Sequence, residues 1–207
     1  MSVLTTWGYT LTDVNAIPDI LTADEYNEFT ADKYAGDSRS IVNIDAAQAA
    51  VRNYCGWHVC PSLSCKLSTT FYDRRVARAG NTILVQLPAA FVTDVSAVTI
   101  DGESYSTFVF ETSGILRVYG APCHVHPYTA IAVEYTAGID GSLAGALKEL
   151  LAHRVTHALT STAGVQSESA GGVSVTYNAA WTNNTRATAL PDDNKEVLAP
   201  YRVKGVY

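Results

Sequence analysis

Charge is what this 207-residue sequence has least of. Asp, Glu, Lys and Arg together make up 16% of it, against roughly one quarter in an average soluble domain. A surface so lightly charged is in part a surface that something else covers, so the deficit points towards protein–protein interfaces. Positive charge is scarcer still: 14 Lys and Arg face 20 Asp and Glu, for a net charge of −6, and the densest basic cluster is Arg74, Arg75 and Arg78. Binding phosphates requires Lys and Arg to displace counterions, which argues against a protein that reads nucleic-acid sequence. Long apolar runs are also missing. None approaches the ~18–20 residues that cross a bilayer, and Met1-Ser2-Val3-Leu4-Thr5 has no basic start leading into an apolar stretch. The expectation is a soluble protein with no membrane partner, made in a cytoplasm, whose four cysteines (Cys55, Cys60, Cys65 and Cys123) stay reduced.

Several catalytic and metal-binding patterns are lacking too. Cys55, Cys60 and Cys65 stand five apart and no Cys-x-x-Cys occurs, whereas structural zinc sites space a ligand pair by two to four residues. Cys55 falls on the core side of a helix, where a thiol acts as a small hydrophobe. His153 and His157 share a helix face, but Arg154 stands where a metalloprotease needs Glu. They read either as a zinc or nickel pair or, in preference, as surface or interface histidines, with His124 and His126 in a loop. Gly36-Asp37-Ser38 looks like the start of a hydrolase block, but a helix precedes it where a strand is needed, so Asp37 or Ser38 reads as a cap. Gly171-Gly172 lacks the neighbours of a phosphate loop and reads as a hairpin turn. No catalytic residue, metal site or cofactor is expected, and the chain is read as a non-enzyme.

What is present is a sequence of elements. Residues 1–20 read as an irregular arm. Thr22-Ala23-Asp24-Glu25 is a capping box opening a helix of about three turns that carries Tyr26, Phe29 and Lys33. A second helix has apolar positions Ile41, Ile44, Ala47, Val51 and Tyr54 at helical spacing, and Gly56 ends it. Some six short strands follow: 66–73, 82–87, 91–100, 105–110, 115–119 and 130–135, with Asp101-Gly102 as a hairpin turn. Within 91–100 the alternation is incomplete, Val92, Val95 and Val98 lying three apart. A third helix spans about 143–161. The alternation at Val173, Val175 and Tyr177 suggests an edge strand or arm, and a short helix starts at Pro191. The fold class is α+β: a small helical bundle core (1–62 and 138–163), an inserted antiparallel β sandwich or barrel (63–137), and an extended C-terminal arm (164–207) with a short helix and tail.

Four stretches carry a resemblance. They are Ala49-Ala50-Val51-Arg52-Asn53-Tyr54-Cys55-Gly56-Trp57-His58-Val59, then Leu87-Pro88 with Val92-Thr93-Asp94-Val95-Ser96-Ala97-Val98, then Val133-Glu134-Tyr135-Thr136-Ala137-Gly138 leading into the helix with His153. The fourth is Glu168 before Gly171-Gly172-Val173-Ser174-Val175-Thr176-Tyr177, followed by Leu198-Ala199-Pro200-Tyr201-Arg202. In this order they resemble the phage head–tail connector (adaptor) proteins, also found in gene transfer agents. The resemblance implies a structural subunit of the virion neck, at the head–tail interface. Some twelve copies would form a ring below the portal protein, with genomic DNA passing through unread and a stopper or tail-completion protein docking next. With the aromatic residues of the Gly/Ser/Asn-rich C-terminal segment, it leads to portal or subunit contacts expected at Glu168, Tyr177, Trp181, Leu198, Tyr201, Arg202 and Tyr207. Two other readings are a β-sandwich binding module of a virion, with Tyr105, Phe108 and Phe110 as an aromatic platform, and a small metal-dependent hydrolase.

Overall fold

The computed structural model describes residues 1–121, 126–160, 167–170, 173–176, 190 and 192–203; at 167–170 and 173–176 it describes the course of the backbone alone. The chain divides into two units, one made of Met1–Pro18, Cys55–Leu143 and Pro200–Tyr207, the other of Asp19–Tyr54 and Ala144–Ala199.

The first unit is a β sandwich. Its larger sheet holds β1 (Ser2–Leu4), β2 (Thr10–Thr12), β3 (Leu63–Thr70), β6 (Val92–Ile100), β7 (Glu103–Ser104) and β10 (Ala130–Ala137), in the order β1-β2-β3-β10-β6-β7. The smaller holds β4 (Val76–Ala79), β5 (Thr82–Gln86), β8 (Phe108–Phe110) and β9 (Ile115–Tyr119), in the order β4-β5-β9-β8. All pairings are antiparallel. Period-two alternation puts one face of each strand inward. Ile131, Val133, Tyr135 and Ala137 of β10, Cys65 and Leu67 of β3, Ile83 and Val85 of β5, and Leu116 and Val118 of β9 are all buried.

β6 explains its own broken pattern. Its pairing with β10 shifts register twice, so nine residues of β6 face seven of β10. Each shift is a bulge that adds one residue to the outer side. The inward valines therefore fall three apart, and Val92, Val95 and Val98 are all buried. The Ser96 hydroxyl donates to the Glu134 carbonyl (3.2 Å), and the Thr93 hydroxyl to the Thr136 carbonyl (3.4 Å), at the places where the ladder is interrupted.

The N-terminal residues are not an irregular arm. Trp7-Gly8 turns the chain, Gly8 taking φ +86, and β1 and β2 join the larger sheet through Thr10–Lys66 and Leu11–Cys65. Three-residue strands are too short to show a period, but Tyr9 and Leu11 point inward and are buried.

The second unit is helical. In α1 (Ala23–Phe29) the capping box forms as expected: the Glu25 N–H donates to the Thr22 hydroxyl (3.2 Å) and the Thr22 N–H to the Glu25 carboxylate (3.0 Å). The helix stops at two turns rather than three because Ala31 and Asp32 turn left-handed, φ 50 and 59, which leaves Lys33 beyond it. In α2 (Ser38–Cys55), Asp37 caps the start by accepting from the Arg39 N–H at 2.9 Å. Ile44, Ala47 and Val51 are buried as read, whereas Ile41 is 55% exposed. Gln48 is buried, its carbonyl oxygen accepting from the Ile20 and Leu21 N–H groups, its amide donating to Asp19. It satisfies backbone donors that would otherwise be orphaned.

In α3 (Gly145–Thr160), Leu147, Leu151, Ala152 and Val155 are buried. Lys148 pairs with Glu25 at 2.6 Å, and the Tyr26 and Thr156 hydroxyls lie 3.1 Å apart, so α3 is tied to α1. The Tyr54 hydroxyl donates to the Lys195 carbonyl (3.2 Å) and holds α4 (Asp192–Leu198) to α2. β11 (Ser167–Ala170) and β12 (Val173–Thr176) form a separate antiparallel pair. The whole is an α+β fold.

Candidate functional site

The C-terminal segment is fastened where α2 ends. Gly56 takes φ +80, the left-handed cap that stops the helix. The last carbonyls of a helix lack intrahelical partners, and here the Cys55 carbonyl accepts from the Val203 N–H at 3.0 Å. Trp57 is fully buried, and its indole N–H donates to the Tyr201 carbonyl at 2.6 Å. Its ring stacks on Phe91 (centroids 6.2 Å apart, planes 13° apart), and Phe91 in turn meets Tyr201 at 5.7 Å. So the Gly-Trp pair receives the chain's own C-terminal segment.

His58 locks the same junction from inside. It is buried, with Nε2 3.0 Å from the Ala137 carbonyl and Nδ1 2.7 Å from the Tyr9 hydroxyl. A carbonyl only accepts, so Nε2 carries the proton and Nδ1 accepts from Tyr9. The Tyr9 oxygen also accepts from the His58 backbone N–H at 3.1 Å. This buried network ties the N-terminal hairpin to β10.

Two clefts open beside the segment. One, of about 600 Å³, is lined by Phe91, Val92, Ile139, Leu143, Pro200 and Tyr201 among others. Its walls are mainly apolar, and Leu143 is 78% exposed. Phe91 stands at φ 54, a conformation that costs a bulky residue on the order of 1–3 kcal/mol. Gly138 on the same wall has no room for a side chain, since a Cβ would sit 2.3 Å from the Pro61 carbonyl oxygen. The other cleft, about 580 Å³, is more polar and includes Trp7, Gly56, Asp73, Arg74, Arg75 and Val203. Burial would raise the Asp73 carboxyl. The hydrogen bonds from Arg75 and from the Thr69 hydroxyl outweigh it and hold the group at about 2.

Of the contact residues expected from sequence, Tyr201 and Arg202 lie here, Tyr201 half-buried and Arg202 exposed. Leu198 is fully buried in the helical unit. Glu168 lies on β11, its backbone opposite Val175. Tyr177, Trp181 and Tyr207 lie outside the described residues, as do Cys123, His124 and the Gly171-Gly172 turn. Sequence reasoning missed Phe91, Leu143 and Tyr9. Phe91 follows Pro88-Ala89-Ala90, a break whose left-handed ending leaves no compositional mark.

The residues weighed for catalysis are dispersed. Ser38 is exposed at the start of α2. His153 is exposed, packing edge-on against Phe29 (5.3 Å) and 3.7 Å from Glu149. Burial, and then the Arg154 charge, push the His157 imidazole below its ordinary value. Cys55, Cys60 and Cys65 are buried thiols. Burial pushes Cys55 and Cys65 up to about 12, where a thiol is a poor nucleophile. Among the described residues no three His, Cys, Asp or Glu side chains cluster as metal ligands, and no helix is long and apolar enough to cross a membrane. Tyr105, Phe108 and Phe110 are half-buried.

The segment Pro200–Val203 is thus clamped by an aromatic stack, with a cleft lined by Pro200 and Tyr201 and another reaching Val203. The family model for Head completion protein matches residues 19–203, and the chain belongs to that family. Its role is a structural one at the head–tail region of a phage particle. The match takes in all four stretches noted in the sequence and leaves out the β1–β2 hairpin. A search among curated proteins returned no match.

Proposed function

We propose that the chain is a head–tail adaptor of a tailed phage. Some twelve copies form a ring below the portal, extend its DNA channel and present a face on which a stopper or tail-completion protein docks. The observation that carries this reading is the anchoring of Pro200–Val203 on Trp57 and Cys55 beside the apolar cleft. Within a head completion family, a segment fixed at its root with accessible Tyr201 and Arg202 suits contact with the portal, and Phe91 with Leu143 suits an aromatic or aliphatic anchor from a partner. Glu168, Tyr177, Trp181 and Tyr207 belong to the same contact set, and Leu198 serves it by holding α4 in place.

Charge distribution supports the channel role. The helical unit has 12 acidic against 7 basic residues, −5, and the β unit 8 against 7, −1. An acidic lining lets DNA pass without adhering. Native mass spectrometry of the purified chain mixed with its portal tests the reading. Several copies per portal ring are expected, and Y201A/R202E should reduce that uptake. A chain that never joins the portal in multiple copies overturns it.

A further inference from the structure

The loops at one end of the β unit display side chains that its fold does not use. The β3–β10 ladder continues one step past the Thr70–Ala130 pair, the Phe71 N–H donating to the Thr129 carbonyl at 3.2 Å. Tyr72 and Tyr128 come next on the two sides and are 79% and 83% exposed. The described residues beside both tyrosines are tied by hydrogen bonds. His126 and Thr129 exchange two hydrogen bonds, at 2.9 and 3.1 Å. Asp73 accepts from the Thr69 hydroxyl (2.8 Å), the Arg75 N–H (2.9 Å) and the Arg75 guanidinium (2.8 Å). That bonding draws Arg75 towards Asp73 and leaves Arg74 exposed, with no ion pair among the described residues. Tyrosines and arginines are among the side chains that dominate protein interfaces, and backbone tied beside them loses little entropy when they dock.

We propose that this tip is a contact between copies of the chain and seats on the acidic face of α1 of a neighbouring copy. The inference rests on the ring reading above and names the surfaces that would build the ring. Complementarity selects the occupant. Five of the six net negative charges lie in the helical unit. Asp24 and Glu28 share one face of α1 and Asp32 follows just beyond; all three are exposed and form no ion pair among the described residues, whereas Glu25 is taken by Lys148. Phe29, 46% exposed alongside them, offers an apolar contact for a tyrosine ring. A tip-on-helix contact joins two different surfaces, so it propagates head to tail and closes where the rotation allows.

Sedimentation of the full chain over a wide concentration range, at low and high salt, tests this. Association should weaken with salt. Y72S/Y128S, R74E and E28R should each weaken it about ten-fold or more, with thermal midpoints unchanged because the positions are exposed. The double variant R74E/E28R should recover association, since both charges are reversed together. The inference falls if the chain stays monomeric at every concentration, if the single variants associate like the wild type, or if the double variant is no better than R74E. Portal uptake measured in parallel separates the two readings. Multiple copies of R74E on the portal would sink this contact and spare the ring; a self-associating wild type that ignores the portal would do the reverse.

Discussion

The two units reach stability by different means. The β unit is close to neutral and is held by buried shape: bulged strands, an aromatic run from Tyr9 through His58 and Trp57 to Phe91 and Tyr201, and hydrogen bonds inside it. The helical unit holds nearly all the net charge, and beside its buried Gln48 network it is tied by caps and pairs nearer the surface: Thr22 with Glu25, Asp37 with Arg39, Lys148 with Glu25. Buried networks are costly to break, whereas exposed pairs contribute little singly. The contrast teaches that charge and packing are divided unevenly, and that the helical unit has surface chemistry to spare for partners.

The largest disruption should come from Trp57→Ala. It empties a buried site and frees the Tyr201 carbonyl, costing about 3–5 kcal/mol. Hydrogen exchange should show protection lost in β3, β6 and β10 and retained in α1 to α3. A loss shared evenly by both units would dissolve the distinction drawn here. Gln48→Leu makes the converse test: it orphans the Ile20 and Leu21 N–H groups, costs about 2–3 kcal/mol, and should spare the sheets in the same experiment.

Acid comes next. The Asp73 carboxyl is lower in the folded chain, at about 2, than its ordinary 3.8. Its contribution is therefore complete above the unfolded value and is lost as pH falls from about 4 to about 2. The amount is about 2 kcal/mol. Denaturant titrations across that window should show the decline in the wild type, and D73N should flatten it. The smallest effect is expected of Thr22→Ala, about 1 kcal/mol from the lost cap, read as a lower thermal midpoint with exchange quickened in α1 alone.

Much of the architecture was legible in the sequence because it is written in local chemistry. The Thr22 capping box, the Gly56 stop, the Asp101-Gly102 turn and strand β9 stand where their residues place them. The misreadings have physical reasons. β1 and β2 are too short to show alternation and exist because β3 offers an edge. Lys33 has helical spacing from Phe29 but stands beyond a helix that two left-handed residues end early. The spacing of Val92, Val95 and Val98 belongs to no regular period until the bulges are known. The candidate site was half legible. The Gly-Trp pair and the Tyr201-Arg202 segment stood out, but nothing local says that residue 57 receives residue 201. That is information about closure over 144 positions, and it resides in the fold.

The bulges of β6 also set which errors of length the gene can absorb. Removing Ser96 or Thr93 would delete an outward residue that has no counterpart on β10, take away the hydroxyl that caps the interrupted carbonyl, and return that carbonyl to the ordinary ladder. The valines on either side would keep their inward phase. Removing Thr99, three positions beyond Ser96, would turn Ile100, the last residue of the strand, to the wrong face. A single-codon loss in this strand is thus a minor edit within either bulge and a frame error, in three dimensions, at Thr99.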